Sequence, residues 1–154
     1  MICTELYIDQ YDWLVHCFFA VDRYYVKSIL SVLDSIDCTE EVYERASRNL
    51  RSGQLDTGLT YTSGRKRESL LVVGLASSAS EYDNSISHEL RHLEDGIAQS
   101  VGLSLNGEDV AYLSGEIRNA LHDVTSTLTC ECECCRKKKL KSIYDVKRFR
   151  SVDK

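Results

Sequence analysis

The stretch Ser69-Leu-Leu-Val-Val-Gly-Leu-Ala76, followed by Ser78-Ala-Ser-Glu81 and then Ser87-His-Glu-Leu-Arg-His-Leu93, passes directly from strand to helix. A near-continuous apolar run of Leu and Val suits a strand. Ser78 with Glu81 three residues later has the form of a capping box, and helix-forming sequence then runs to a stop at Gly102. Upstream, Leu59-Thr-Tyr-Thr62 alternates and is joined to the apolar run by Ser63-Gly-Arg-Lys-Arg67, which has turn chemistry, so a hairpin is predicted. Downstream, Asn106 is the expected cap of a helix to about Leu128, with Glu108 and Asp109 in its first turn. Val110, Leu113, Ile117 and Leu121 form its apolar stripe.

Toward the N-terminus, apolar residues at Trp13, Leu14, Cys17, Phe18, Val21, Tyr24, Tyr25, Ile29, Val32, Leu33 and Ile36 fit a three-four spacing. This predicts one long amphipathic helix over Gln10–Ile36. Thr39 before Glu40 and Glu41 reads as an N-cap, and Gly53 after Leu50 as a stop, giving a second, shorter helix. The expected class is α+β: helices on a small antiparallel sheet, with Leu70 to Ala76 at its edge above the helix that begins near Ser78.

The chain has 154 residues, 43% hydrophobic and 28% charged, which fits one soluble domain with a real core. No run of 18 apolar residues occurs, and Glu5 and Asp9 stand where a secretory leader would be basic. Neither a membrane span nor a signal peptide is expected. Four of the seven cysteines, Cys130, Cys132, Cys134 and Cys135, crowd into a stretch too short for easy pairing, which favours a reducing compartment. Charge is divided along the chain. Residues 136–154 hold nine Lys or Arg against two Asp, leaving 10 basic and 22 acidic residues in the rest. The expected organisation is a domain over residues 1–129 and a Cys-rich, then basic, tail over 130–154. An acidic body is a poor general nucleic-acid binder; the tail could dock on phosphate, anionic lipid or an acidic protein face, or simply keep the chain soluble.

His88-Glu-Leu-Arg-His92 matches H-E-x-x-H. At about 100° per residue, histidines four apart share one helix face, so both imidazoles can reach one metal ion. Glu89 lies on the adjoining side, where it can act as a general base without ligating. The expected ion is Zn²⁺, which acidifies water and polarises a carbonyl. The competing reading is a charged helix face that matches the motif by chance.

A catalytic zinc needs three protein ligands and an open position. Glu108, in the first turn of the next helix, is the best third candidate, with Asp109 and Glu116 competing. Tyr112, four residues after Glu108, shares its face and could orient it or donate to an oxyanion; plain packing is an equal alternative. Asp95 could hold an imidazole N–H or remain solvated. His16 and His122 read as helix-face residues outside the site. The four clustered cysteines offer soft ligands without a matching second pair, so reduced thiols at a helix end are the simpler reading.

With these motifs in place, the sequence resembles the zincin metallopeptidases, in particular the gluzincins. The longer pattern is Gly58-Leu-Thr-Tyr-Thr, Glu68-Ser-Leu-Leu-Val-Val-Gly, Ser87-His-Glu-Leu-Arg-His-Leu and Gly107-Glu-Asp-Val-Ala-Tyr-Leu-Ser-Gly115. It is similar to small zincin-like proteins of phages and mobile elements of gut Bacteroidales, over roughly residues 57 to 121. The resemblance implies a minimal zincin-like domain with His88, His92 and Glu108 as zinc ligands and Glu89 as base. It also implies peptide-bond hydrolysis of a peptide or protein substrate, in the cytoplasm of a bacterial host or in a phage particle. Two departures stand out: a short gap from His92 to Glu108, and no following domain to supply a further transition-state His or Tyr. The alternative is a non-enzymatic structural or interaction protein, such as a phage-particle component, that uses the same scaffold and docks through its basic tail.

Overall fold

Period-two burial, rather than a helical stripe, governs the start of the chain. In β2 (Trp13–Val21) the side chains of Trp13, Val15, Cys17 and Phe19 are buried in one core, while Phe18 and Val21 are buried in another. β1 (Ile2–Ile8) pairs antiparallel with β2, Ile2 opposite Phe19 and Ile8 opposite Trp13. A short 3-10 turn at Asp9–Tyr11 and Asp12 in the left-handed region (φ 51°) close this hairpin. The expected helix over Gln10–Ile36 is therefore wrong in its first half. Both faces of β2 are covered, so apolar residues fall on both sides, and such a strand mimics a three-four pattern. Only α1 (Val26–Ser35) is helical, burying Val26, Ile29, Leu30 and Leu33. The computed structural model describes residues 1–22, 25–53, 55, 58–142 and 148–150. Tyr24, counted in the expected stripe, lies outside them.

α2 (Glu40–Ser52) has the predicted ends. The Thr39 hydroxyl accepts the Val42 N–H, and Gly53 adopts φ 72° to close the C-terminus. β3 (Gly58–Ser63) and β4 (Glu68–Gly74) form the predicted antiparallel hairpin, with Thr60 opposite Leu71. β4 also runs parallel to β2, and the sheet order is β3-β4-β2-β1-β5, where β5 is Arg148–Arg150, parallel to β1. The sheet is thus mixed rather than antiparallel. β4 is interior, and the edge on this side is β3, not Leu70 to Ala76. Burial explains this: Leu70 to Val73 point alternately into two cores, as a central strand requires.

α1 and α2 cover one sheet face; α3 (Ala79–Val101), α4 (Glu108–Ala120) and α5 (His122–Thr129) cover the other. The class is α+β in three layers. At the start of α3 the Ser78 hydroxyl accepts the Glu81 N–H at 3.1 Å. The Glu81 carboxylate accepts the N–H and hydroxyl of Ser77, both at 2.7 Å, so the capping box reaches one residue further back than expected. α4 is capped by Gly107 rather than Asn106. The single helix expected to Leu128 is two, meeting at Leu121, which with Leu128 turns into the same core as Ile117.

α3 lies tightly under the edge hairpin because glycine permits it. A Cβ on Gly96 would stand 2.6 Å from the Thr62 hydroxyl oxygen, and one on Gly58 would stand 2.8 Å from Cγ of Glu89. α6 (Glu133–Ser142) follows α5 after a short link. Among the described residues, no helix is long and apolar enough to cross a membrane.

Candidate functional site

The buried stripe of α3 comprises Tyr82, Ile86, Leu90, Leu93 and Ile97, and it fixes where the H-E-x-x-H side chains go. Glu89 is four residues before Leu93 and therefore turns inward; His88 and His92 turn to solvent. The two imidazoles meet with their Nε2 atoms 3.2 Å apart and ring planes at 78°. Glu89 is 3% exposed, and its Oε2 accepts the hydroxyl hydrogen of Thr60 on β3 at 2.7 Å. The same hydroxyl lies 3.2 Å from the Glu89 carbonyl oxygen, so Thr60 ties the edge strand to the middle of the motif.

Glu108 does not join this pair. Among the described residues, no third His, Cys, Asp or Glu forms with His88 and His92 a cluster whose ligand atoms all lie within 4.8 Å of one another. α4 buries Val110, Leu113 and Ile117, which leaves Glu108, Asp109, Tyr112 and Glu116 on its outward side. Tyr112 is 73% exposed. Asp95 is engaged by the Arg91 guanidinium, with Nε 3.0 Å from Oδ2, rather than by an imidazole.

The other two histidines sit elsewhere. His16 is on β2, not on a helix, and stands between carboxylates of neighbouring strands: Nε2 is 3.0 Å from Glu68 and Nδ1 is 3.6 Å from Glu5. His122 starts α5 and contacts the Ser126 hydroxyl one turn later, at 3.2 Å from Nε2. It borders a cleft of about 290 Å³ between α3 and α4–α5, with Asp83, Ser87 and Arg118 on the polar side.

Two features go beyond the sequence reading: the burial of Glu94, and the convergence of three of the four clustered cysteines. Glu94, two residues past the motif, is 3% exposed and paired with Arg118 of α4 at 3.3 Å, which fastens α4 to the motif helix. Its position beside Leu93 and one turn before Ile97 and Ala98 was the available signal. The second feature is the cysteine cluster. Cys130 ends α5, Cys132 immediately precedes α6 and Cys135 lies in its first turn, so the sulfurs of Cys130, Cys132 and Cys135 all lie within 4.8 Å of one another. Cys134 is exposed and outside this trio. The Cys132 N–H points to the Cys130 sulfur at 3.5 Å and the Cys135 N–H to the Cys132 sulfur at 3.4 Å. These N–H and thiol donors, first the Cys135 N–H, pull the Cys132 thiol down to about 7, while hydrogen bonding with Cys132 pushes Cys135 up to about 11. Three thiols so placed could bind a metal ion. Residues 143–147 and 151–154, which include Lys147 and Lys154 of the basic tail, lie outside the described residues.

Compared with known proteins, the chain matches no family model, no curated protein and no solved structure. Function is therefore read from the side chains themselves.

Proposed function

We propose that the protein is a zinc-dependent peptidase of zincin type, with His88 and His92 as metal ligands and Glu89 as general base. The observation that carries this reading is the approach of the two imidazoles. Two nitrogens bound to one tetrahedral zinc at 2.0–2.1 Å stand about 3.3 Å apart, and the Nε2 atoms of His88 and His92 are separated by 3.2 Å. The two imidazoles, on adjacent turns of a long, capped helix, thus stand at the separation that ligation of one divalent ion would require. Zinc held there supplies a Lewis acid that polarises a peptide carbonyl and acidifies water.

The remaining steps belong to the chain. Glu89, on the turn between the two imidazoles, takes a proton from water and returns it to the leaving amine. The Thr60 hydroxyl holds that carboxylate in one orientation, at 2.7 Å. β3 has no partner on its outer side among the described residues, and an extended substrate can add to that edge by main-chain hydrogen bonds. Glu108 is the proposed third ligand and Tyr112 the proposed donor to the oxyanion. Both lie on the outward side of α4, so these two assignments rest on the family resemblance and on spacing. A cytoplasmic or virion setting is likewise part of the proposal.

A second reading is favoured by a specific observation. Glu89 is nearly inaccessible and already engaged by Thr60, as a purely structural residue would be. In that case the scaffold serves a non-enzymatic interaction protein that docks through its basic tail. Metal content by elemental analysis, together with hydrolysis of a peptide library, separates the two. The peptidase reading expects one zinc lost in His88→Gln/His92→Gln, and turnover lost in Glu89→Gln with zinc retained. Zinc binding without turnover under any condition supports the scaffold, and failure of the wild-type chain to bind zinc through this pair removes the peptidase.

A further inference from the structure

The sequence Cys130-x-Cys132-x-x-Cys135 folds across a helix junction, and the junction gathers the three sulfurs. α5 ends at Thr129 with Cys130 in extended conformation (φ −79°, ψ 132°), and α6 starts at Glu133. The Arg136 N–H bonds the Cys132 carbonyl at 3.0 Å, so Cys132 holds the N-cap position and its side chain turns over the first turn, where Cys135 sits. From this placement we propose that Cys130, Cys132 and Cys135 form a trithiolate site for one thiophilic d¹⁰ cation, Zn²⁺ or Cu⁺, independent of the His88–His92 pair.

Three arguments support the site. The first is reach. Sulfurs bound at 2.3 Å around one tetrahedral ion stand about 3.8 Å apart, and the three sulfurs here are within 4.8 Å of one another. Side-chain rotation within the junction closes that gap without refolding either helix. The second is charge. Thiolates are the ligating form, and backbone N–H groups already aim at two of the sulfurs, from Cys132 to Cys130 and from Cys135 to Cys132. Arg136 follows Cys135 directly in sequence and brings a positive charge that favours the thiolate form. The third is ligand type: an all-sulfur set selects Cu⁺ or Zn²⁺ over the hard cations Mg²⁺ and Ca²⁺. None of the three thiols is deeply buried, so an ion can enter and its remaining position is open to solvent.

The test uses the reduced full-length chain, kept anaerobic, with free thiols counted by alkylation and folding checked by circular dichroism. Co²⁺ serves as the spectroscopic probe. One equivalent is expected to give a thiolate-to-cobalt charge-transfer band in the near ultraviolet. That band should persist in Cys134→Ser and in His88→Gln/His92→Gln. In Cys132→Ser, affinity should fall by more than the roughly 10–100-fold typical of losing a group that only hydrogen-bonds a ligand. Displacement of Co²⁺ by one equivalent of Zn²⁺ or of Cu⁺ identifies the preferred ion, and displacement by neither overturns the proposal. So does absence of the band from chain whose thiols are reduced, or a band that Cys132→Ser leaves unchanged. Because the histidine variant retains this site, its outcome is separate from that of the peptidase reading.

Discussion

The hydroxyl of Thr60 donates a hydrogen bond to the carboxylate of Glu89 at 2.7 Å, joining the edge strand β3 to the centre of the H-E-x-x-H helix. Glu89 is 3% exposed, so this bond is made where water cannot easily replace it. Thr60→Val keeps the shape and removes the donor. It is expected to lower unfolding free energy by about 1–3 kcal/mol, measured by urea denaturation. Glu89→Gln, which retains an acceptor, should cost less. If the peptidase reading is correct, Thr60→Val also lowers kcat while leaving KM nearly unchanged, because it disturbs the orientation of the base and not the binding edge.

Gly96 sets the distance between α3 and the hairpin. A Cβ there would lie 2.6 Å from the Thr62 hydroxyl oxygen and 3.0 Å from its Cβ. Gly96→Ala should therefore destabilise by about 1–3 kcal/mol through overpacking, despite the better helix propensity of alanine. Adding Thr62→Ala should recover much of that loss, a non-additivity visible in a thermal-melting cycle.

Arg118 compensates a carboxylate that the core would otherwise isolate. Glu94 is buried and its only described ion pair is with Arg118, at 3.3 Å. Arg118→Ala should cost about 1–3 kcal/mol, less than breaking a fully buried pair because half of the arginine faces water. Arg118→Ala with Glu94→Gln should be more stable than Arg118→Ala alone.

The thiols of the α5–α6 junction should titrate apart. Cys132 lies near 7 and Cys135 near 11. Thiolate is the reactive form, so alkylation of Cys132 by iodoacetamide should accelerate as pH rises through about 7 and then level off, while Cys135 remains slow until far more alkaline solution. Peptide mapping after timed alkylation reads both. Cys130→Ser weakens a thiol donor to Cys132 and should move its half-point upward.

Local chemistry was legible in the sequence where a single residue decides the backbone. Thr39 and Gly53 bound α2, Ser78 and Gly102 bound α3, and the turn after Ser63 joins the β3–β4 hairpin, all as read from residue type. The first strand pair was not legible as such. Trp13 to Val21 is covered on both faces, and a doubly buried strand satisfies a helical template as well as its own. The same two-sided burial makes β4 interior and moves the edge to β3. The outward turn of Glu108 was in principle readable: Val110 is about 200° around the helix from it, and Val110, Leu113 and Ile117 define the buried side of α4. Likewise Glu89 shares a face with Leu93, one turn on, which places the carboxylate inside while the imidazoles stay outside. The convergence of Cys130, Cys132 and Cys135 depended on the break between α5 and α6, which cysteine spacing alone does not reveal.

Anomalous scattering at the zinc edge, from crystals of the zinc-loaded chain, tests the metal role of the His88–His92 pair most directly. A peak at about 2.1 Å from both Nε2 atoms is the expected result, with or without a second peak at the cysteine junction. Zinc found only among the cysteines, or nowhere, would contradict a metallopeptidase built on this helix.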